Sequence, residues 1–214
     1  MKFTADDLVL YAVTDRTWLE DKTLSEVVEA ALQGGVTLIQ LREKELDYEG
    51  YLAEALEIKK VCDRYGVPMI INDNVEIALA SGADGVHLGQ KDGDVAKVRE
   101  RLGKSKIIGV SARTLEQALK AQANGADYLG VGAAFGSKTK LDAQALSHKV
   151  IQTITETVDI PVVAIGGINR QNAMELRGTK VQGIAVISDL FAQGDVKKAA
   201  QTLKYIAEQV AGKK

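Results

Sequence analysis

Gln40, Arg42 and Lys44 stand at every second position where an apolar run, Val36-Thr37-Leu38-Ile39, comes to its end. Side chains of an extended segment alternate, so an amide and two cations leave this strand end on one side. That set suits an anionic ligand, because a guanidinium is a flat fork for phosphate oxygens and an ammonium is a point charge. Solvated surface charge is the ordinary reading of such residues, but it fits poorly for cations that prolong a core strand. It remains open for Lys138 and Lys140 in the polar stretch Gly136-Ser137-Lys138-Thr139-Lys140. Other apolar segments end in the same style, in Asn72-Asp73, in Gln90 followed by Asp92, in Ser111, in Gly166-Gly167 and in Ile187-Ser188.

Asp73 and Asp92 follow neighbouring strand candidates. Two carboxylates with few other protein ligands suit Mg²⁺, which keeps waters and bridges to substrate phosphates. Helix capping by the same two residues is an equal alternative. A chain with 1 Cys and 2 His that are not closely spaced carries no zinc pattern. Gly166-Gly167 and Ser188, with a short helix expected over 188–193 and stopped by Gly194, match the phosphate site that many barrels build after strands seven and eight. A tight turn and an ordinary serine cap are the structural alternatives. His87 lies within an apolar strand and is expected as a hydrogen-bonded core residue, and His148 as an exposed helical one. Cys62 and Trp18 read as packing. No Ser-His-Asp or Cys-His set is evident, which argues against acyl transfer.

These side chains need a scaffold that gathers many strand ends. Strand candidates fall at 9–14, 37–42, 68–72, 85–88, 107–110, 128–131, 162–165 and 184–187, spaced as βα units are, with amphipathic helical patterns between them. Thr23 and Glu26 form a capping box, Thr114 and Gln117 open another helix the same way, and Asp195 caps the last. Ser81-Gly82-Ala83-Asp84 and Asn124-Gly125-Ala126-Asp127 repeat before two strands, with a glycine suited to a helix C′ position of positive φ. Hydrophobic residues make up 46% of the 214 residues and aromatic ones only 5%, as an aliphatic parallel sheet covered by helices requires. No linker divides the chain, and no G-x-G-x-x-G follows the first strand. The expected architecture is α/β, a single (β/α)8 TIM barrel over residues 1–214. A net charge of −2 argues against a nucleic-acid partner. With no signal-like or membrane-spanning run and one cysteine, a soluble cytoplasmic protein is expected, and a homo-oligomer is left open.

From Tyr11 to Phe191 the chain resembles the thiamine-phosphate synthase family. The resemblance is carried by YAVTDR, GGVTLIQLREK, INDNVEIALASGADGVHLGQKD, IGVSART, GADYLGVGAAFGSKTKLDA, PVVAIGGI and AVIS, in that order. It implies condensation of a hydroxymethylpyrimidine diphosphate with a thiazole phosphate, giving thiamine phosphate and pyrophosphate. It further implies that Gln40 holds the pyrimidine, with Ser111 beside both pyrimidine and diphosphate. Arg42, Lys44, Asn72 and Lys140 would hold the diphosphate, Asp73 and Asp92 would hold Mg²⁺, and Ser137, Thr139, Gly167, Ile187 and Ser188 would receive the thiazole phosphate. Arg42, Lys44, Lys140 and Ser111 would carry the catalysis. The sequence departs from the family pattern after the sixth strand, where two prolines are missing and Ser137 replaces a threonine. Asp189 adds a negative charge beside the expected phosphate site, weakening it unless that side chain points elsewhere. Rival readings are a thiazole tautomerase of similar fold, another sugar-phosphate isomerase or epimerase barrel, and a non-catalytic precursor-binding protein.

Overall fold

In the computed structural model, which describes residues 3–136 and 145–213, eight parallel strands close into one barrel in chain order. They are β1 (Leu10–Val13), β2 (Leu38–Leu41), β3 (Met69–Asn72), β4 (Gly85–Leu88), β5 (Ile107–Ala112), β6 (Tyr128–Gly132), β7 (Val162–Ile165) and β8 (Gly183–Val186). Pairing of Leu10 with Ile184 and of Tyr11 with Ala185 closes the ring between β1 and β8. Helices α1 (Leu24–Gln33), α2 (Tyr48–Tyr65), α3 (Val75–Ala80), α4 (Val95–Leu102), α5 (Leu115–Ala123) and α6 (His148–Thr157) fill the successive connections. A single 3₁₀ turn, Ala173–Leu176, replaces a full helix between β7 and β8. After β8 come a four-residue helix, α7 (Ser188–Phe191), and the closing α8 (Val196–Val210).

The expected caps form. Thr23 and Glu26 make a reciprocal box at α1, and Asp195 accepts the Lys198 N–H at α8. At α5, Thr114 accepts the Gln117 N–H, but the Gln117 amide reaches back one residue further, to the Arg113 N–H. Gly82 and Gly125 have φ of +70° and +92°, as the repeated motif requires.

Alternation along the strands builds two cores. Leu10, Ala12, Ile39, Leu41, Ile71, Val86, Val110, Val131 and Val186 pack outward against the helices. Leu8, Tyr11, Val13, Leu38, Ile70, Ile107, Tyr128, Val163 and Ala185 fill the barrel interior. The same parity turns Gln40, Asn72, His87, Ser111 and Ile187 inward.

The N-terminal rim is braced by one device used four times. Thr37 Oγ1 accepts the Leu10 N–H, Asp84 the Met69 N–H, Asp127 the Ile108 N–H and Gln182 the Val162 N–H. In each case a polar residue just before an even-numbered strand satisfies a donor at the start of the preceding odd strand. The aspartates of the repeated motif are therefore structural.

Candidate functional site

The end of β1 fixes the end of β2. The Thr14 N–H donates to the Gln40 carbonyl at 2.9 Å, and the Arg42 N–H donates to Thr14 Oγ1 at 3.0 Å. Asp15 caps the 3₁₀ turn Arg16–Trp18 and lies 3.4 Å from the Arg42 guanidinium. Beyond it, Lys44 Nζ lies 3.1 Å from Asp73 Oδ2, with the lysine 52% exposed. Tyr51, in the first turn of α2, donates to the Leu41 carbonyl at 3.0 Å and also lies 3.4 Å from the Asn72 carbonyl. Burial and then the nearby carboxylates Glu43 and Asp73 raise its phenol above the ordinary range. A cavity of about 470 Å³ opens here, lined by Glu43, Lys44, Tyr51, Asn72, Asp73 and others. Of the expected cations Lys44 thus shares one open hollow with the Asn72-Asp73 pair, while Arg42 is paired with Asp15 beside it.

Neither candidate metal ligand is a helix cap. Asn74 caps α3, accepting the Ile77 N–H, and Asp94 caps α4, accepting the Ala96 N–H. Asp73 sits instead in the left-handed region, φ +59°, where its N–H donates to the His87 carbonyl at 2.9 Å. Asp92 is exposed and accepts the Gly89 N–H at 2.8 Å, folding its loop over the end of β4. The two aspartates therefore crown adjacent strands. Among the described residues no group of three or more His, Cys, Asp or Glu gathers as a metal site. Two hard carboxylates on neighbouring strands remain a fitting set for Mg²⁺, which fills its remaining positions with water and phosphate oxygens.

On the far side of the mouth, Gly166 and Gly167 turn the chain out of β7 with φ of +96° and +67°. The Gly166 carbonyl accepts the Phe135 N–H at 3.1 Å, which holds the exit of β6 against that of β7. A Cβ on Gly167 would lie 1.9 Å from the Gly136 carbonyl oxygen, so this glycine is required by backbone contact even without a ligand. Ser188 is exposed at the start of α7, and Ile187 precedes it. Asp189 is engaged by Arg170 of the loop after β7. Its carboxylate accepts the Arg170 N–H at 2.7 Å and faces Arg170 Nε at 3.2 Å. Ser137, Thr139 and Lys140 lie outside the described residues. His148 is half-buried rather than exposed, edge-on to Phe135 with ring centroids 5.3 Å apart.

Inside the barrel, His87 is the expected core histidine. Its Nδ1 lies 2.9 Å from Tyr128 Oη and its Nε2 lies 2.9 Å from Ser111 Oγ. The Tyr128 and Tyr11 hydroxyls are 2.8 Å apart, and Gln40 Nε2 donates to Tyr11. Burial raises both phenols well above their ordinary values.

The residue types alone gave no reason to single out Arg16, Glu43 and Glu54. Glu43 lies between Arg42 and Lys44, so parity turns it to the opposite side, where its side chain is only 2% exposed. Arg16 Nε donates to Glu43 at 2.9 Å, and Arg16 Nη2 donates to Glu54 of α2. Glu54 Oε2 is buried with no hydrogen-bond donor among the described residues. Burial, followed by a hydrogen bond and like charge from Glu43, pushes the Glu54 carboxyl up to about 8. Both observations favour a protonated carboxyl: an ionised Oε2 would be left with no donor, and the like charge of Glu43 opposes ionisation. The signal in the sequence was Tyr51 and Glu54 at a spacing of three on α2, which directs both toward the strand ends.

A second cavity, of about 790 Å³, opens at the opposite, N-terminal rim, lined by Phe3, Lys104, Lys106, Asp84 and Asp127 among others. Asp84 and Asp127 are already engaged with strand N–H groups, with Asp127 also paired to Arg99.

The family model for Thiamine monophosphate synthase matches residues 10–190. A thiamine-phosphate synthase of Ruminiclostridium cellulolyticum is 50% identical over 197 residues, 92% of this chain and 94% of the relative. The solved thiamine phosphate pyrophosphorylase from Pyrococcus furiosus superposes with a TM-score of 0.89 at 40% identity, covering 96% of this chain and 98% of that one. A solved (S)-3-O-geranylgeranylglyceryl phosphate synthase from Thermoplasma acidophilum, 16% identical, has a TM-score of 0.71 over 98% of this chain and 100% of its own, a likeness of fold alone.

Proposed function

Because this chain belongs to the thiamine monophosphate synthase family, we infer that it condenses hydroxymethylpyrimidine diphosphate with thiazole phosphate, giving thiamine phosphate and pyrophosphate. The observation that carries the assignment of residues is the hollow at the ends of β2 and β3. There Lys44, Asn72 and Asp73 line one cavity, with Arg42 two residues before Lys44, across the mouth from Gly167 and Ser188 after β7 and β8. One side suits a diphosphate and the other a monophosphate.

The bond from the pyrimidine methylene carbon to the diphosphate oxygen breaks heterolytically, and the electron pair leaves with pyrophosphate. The electron-rich aminopyrimidine ring stabilises the resulting cation. The thiazole nitrogen then donates its lone pair to the methylene carbon. No proton must be removed from this nucleophile, so no general base is required. Gln40 and Ser111 orient the pyrimidine. Arg42, Lys44, Asn72 and Lys140 hold the diphosphate, and the two lysines meet the charge that grows on it as it departs. Asp73 and Asp92 would hold Mg²⁺, which supplies further charge neutralisation for the diphosphate. Ser137, Thr139, Gly167, Ile187 and Ser188 receive the thiazole phosphate. A tautomerase or a sugar-phosphate isomerase of this fold would leave the cations and carboxylates of β2 and β3 idle.

No described helix is long and apolar enough to cross a membrane. A cytoplasmic location follows from this reading, since both substrates are phosphorylated and do not cross a bilayer unaided. The test is pyrophosphate release from the two purified substrates, with and without Mg²⁺. Release should require both substrates and stop in EDTA. Substrate-dependent release that persists in EDTA would remove the metal from the reading. No release in any condition would remove the reaction.

A further inference from the structure

We propose that Tyr11, Tyr128 and His87 are positioning residues that read the substrate's amine. Together they form one directional hydrogen-bond chain through the barrel interior, tying the Gln40 amide to the Ser111 hydroxyl. The proposal rests on the assignment of Gln40 and Ser111 to the pyrimidine.

The direction of the chain follows from counting protons. Gln40 donates its Nε2–H to Tyr11 Oη. Tyr11 is completely buried, so its own phenolic proton needs an acceptor, and among the described residues Tyr128 Oη at 2.8 Å supplies it. Were Tyr128 the donor instead, the Tyr11 proton would face a donor and stay buried and unpaired. Tyr128 therefore passes its proton on to His87 Nδ1, 2.9 Å away. With Nδ1 accepting, the ring proton sits on Nε2, which donates to Ser111 Oγ at 2.9 Å. Ser111 is left with its hydroxyl proton to give, and Gln40 with its carbonyl oxygen to receive. An acceptor at one end and a donor at the other match an exocyclic amine next to a ring nitrogen. They oppose the oxo counterpart, whose carbonyl and ring N–H present the reverse pattern.

The barrel makes room for this chain. A Cβ on Gly109 would lie 2.3 Å from Tyr128 Oη, and one on Gly130 would lie 3.1 Å from His87 Cε1. Glycines in the middle of β5 and β6 weaken those strands, so their presence where the chain runs is a cost offset by the space they leave. Five residues from five strands are linked, β2 to β1, β6, β4 and β5 in turn. A change at one end should therefore be felt at the other.

Two measurements test this. The first is ¹⁵N NMR of histidine-labelled protein carrying His148→Gln, which leaves His87 alone in the spectrum. The expected result is a single Nε2–H tautomer, partly converted to other states by Tyr128→Phe. An Nδ1–H tautomer in the parent protein would overturn the direction of the chain without any variant needing to fold. The second compares kcat/KM for the aminopyrimidine diphosphate and its oxo analogue. Tyr128→Phe and Tyr11→Phe should cut the preference for the amine on the order of tenfold, leaving KM for thiazole phosphate unchanged. Equal losses for both pyrimidines would reduce these residues to packing and overturn the proposal. If Gln40→Ala and Ser111→Ala leave KM for the aminopyrimidine unchanged while the tautomer is as stated, the pyrimidine assignment itself fails, and the substrate half of the inference fails with it.

Discussion

Replacing Glu54 by Gln should change how stability depends on pH while leaving the Arg16–Glu43 pair in place. The introduced amide donates to Glu43 and its carbonyl accepts from Arg16, which reproduces a protonated Glu54. The folded protein raises this carboxyl from 4.5 to about 8. For an acid raised by folding, the protonated form is favoured by the native state. The associated stability is full below about pH 4.5 and is lost as pH rises through about 8. At about 1.4 kcal/mol per pH unit the upper bound is about 5 kcal/mol. Arg16 is 41% exposed, so water screens the cluster and about 1–2 kcal/mol is the figure to expect. The amide has no proton to lose. The variant should therefore gain on the parent protein by about 1–2 kcal/mol between pH 5 and 8.5, or about 0.5–1 M in the urea midpoint at a typical slope near 2 kcal/mol per M. The assay is a set of urea titrations at half-unit pH steps for both proteins, with activity measured at each step. Parallel stability curves would refute the protonated carboxyl. A variant that falls behind the parent protein above pH 7 would show that the parent carboxyl is ionised and serves Arg16 as a charge.

Lys44→Ala should lower kcat on the order of 10²–10³, since its ammonium meets charge that appears only as pyrophosphate leaves; an unchanged kcat with a raised KM for the pyrimidine substrate would mean uniform binding instead. Gly167→Ala should lower the thermal midpoint as well as raise KM for thiazole phosphate, because its Cβ would meet the Gly136 carbonyl at 1.9 Å and the residue has φ +67°. Calorimetry with each substrate separately should show pyrimidine binding better preserved than thiazole binding, and the opposite order would reverse the two sites. Asp189→Ala should cost about 1–3 kcal/mol in a denaturant titration, because it strips the Arg170 N–H of its acceptor. Phosphate affinity should not improve, and a clear improvement would mean that the carboxylate does face the site.

The strands were legible because apolar runs of four to six residues recur at βα spacing, and the observed strands fall within a residue or two of the expected ones. Parity along β2 was legible for the same reason, so Gln40 could be placed on the inward side from its position alone. What parity could not reveal is the other side of the same segment. Glu43 reads as one more charge in a charged stretch, and its burial depends on Arg16 arriving from β1 and Glu54 from α2. Those partners lie 27 and 11 positions away in sequence, and no local pattern joins them. The contest between capping and metal binding at Asp73 and Asp92 was likewise undecidable from composition. Asn74 and Asp94 are equally good caps a residue or two further on, and only the backbone shows that they do the capping.

Alternation also explains why the barrel tolerates so much polarity inside. A purely aliphatic interior would serve stability, yet His87, Tyr11 and Tyr128 occupy inward positions and bring buried polar atoms with them. Each such atom costs free energy unless it is paired, and in this chain each is paired with the next. A half-satisfied network would be worse than none. Hence the five residues stand or fall together, and the same condition forces a single direction on their protons. The barrel therefore delivers Gln40 and Ser111 to its mouth with their donors and acceptors already assigned. Arg42 and Lys44 follow just beyond the end of β2, Arg42 fixed by Thr14 and Asp15 and Lys44 beside Asp73. In the proposed reading one segment carries both functions, with Gln40 of β2 joined to the interior chain and Lys44, just past the strand, lining the anion hollow. A shift of β2 by a single residue would lose both at once.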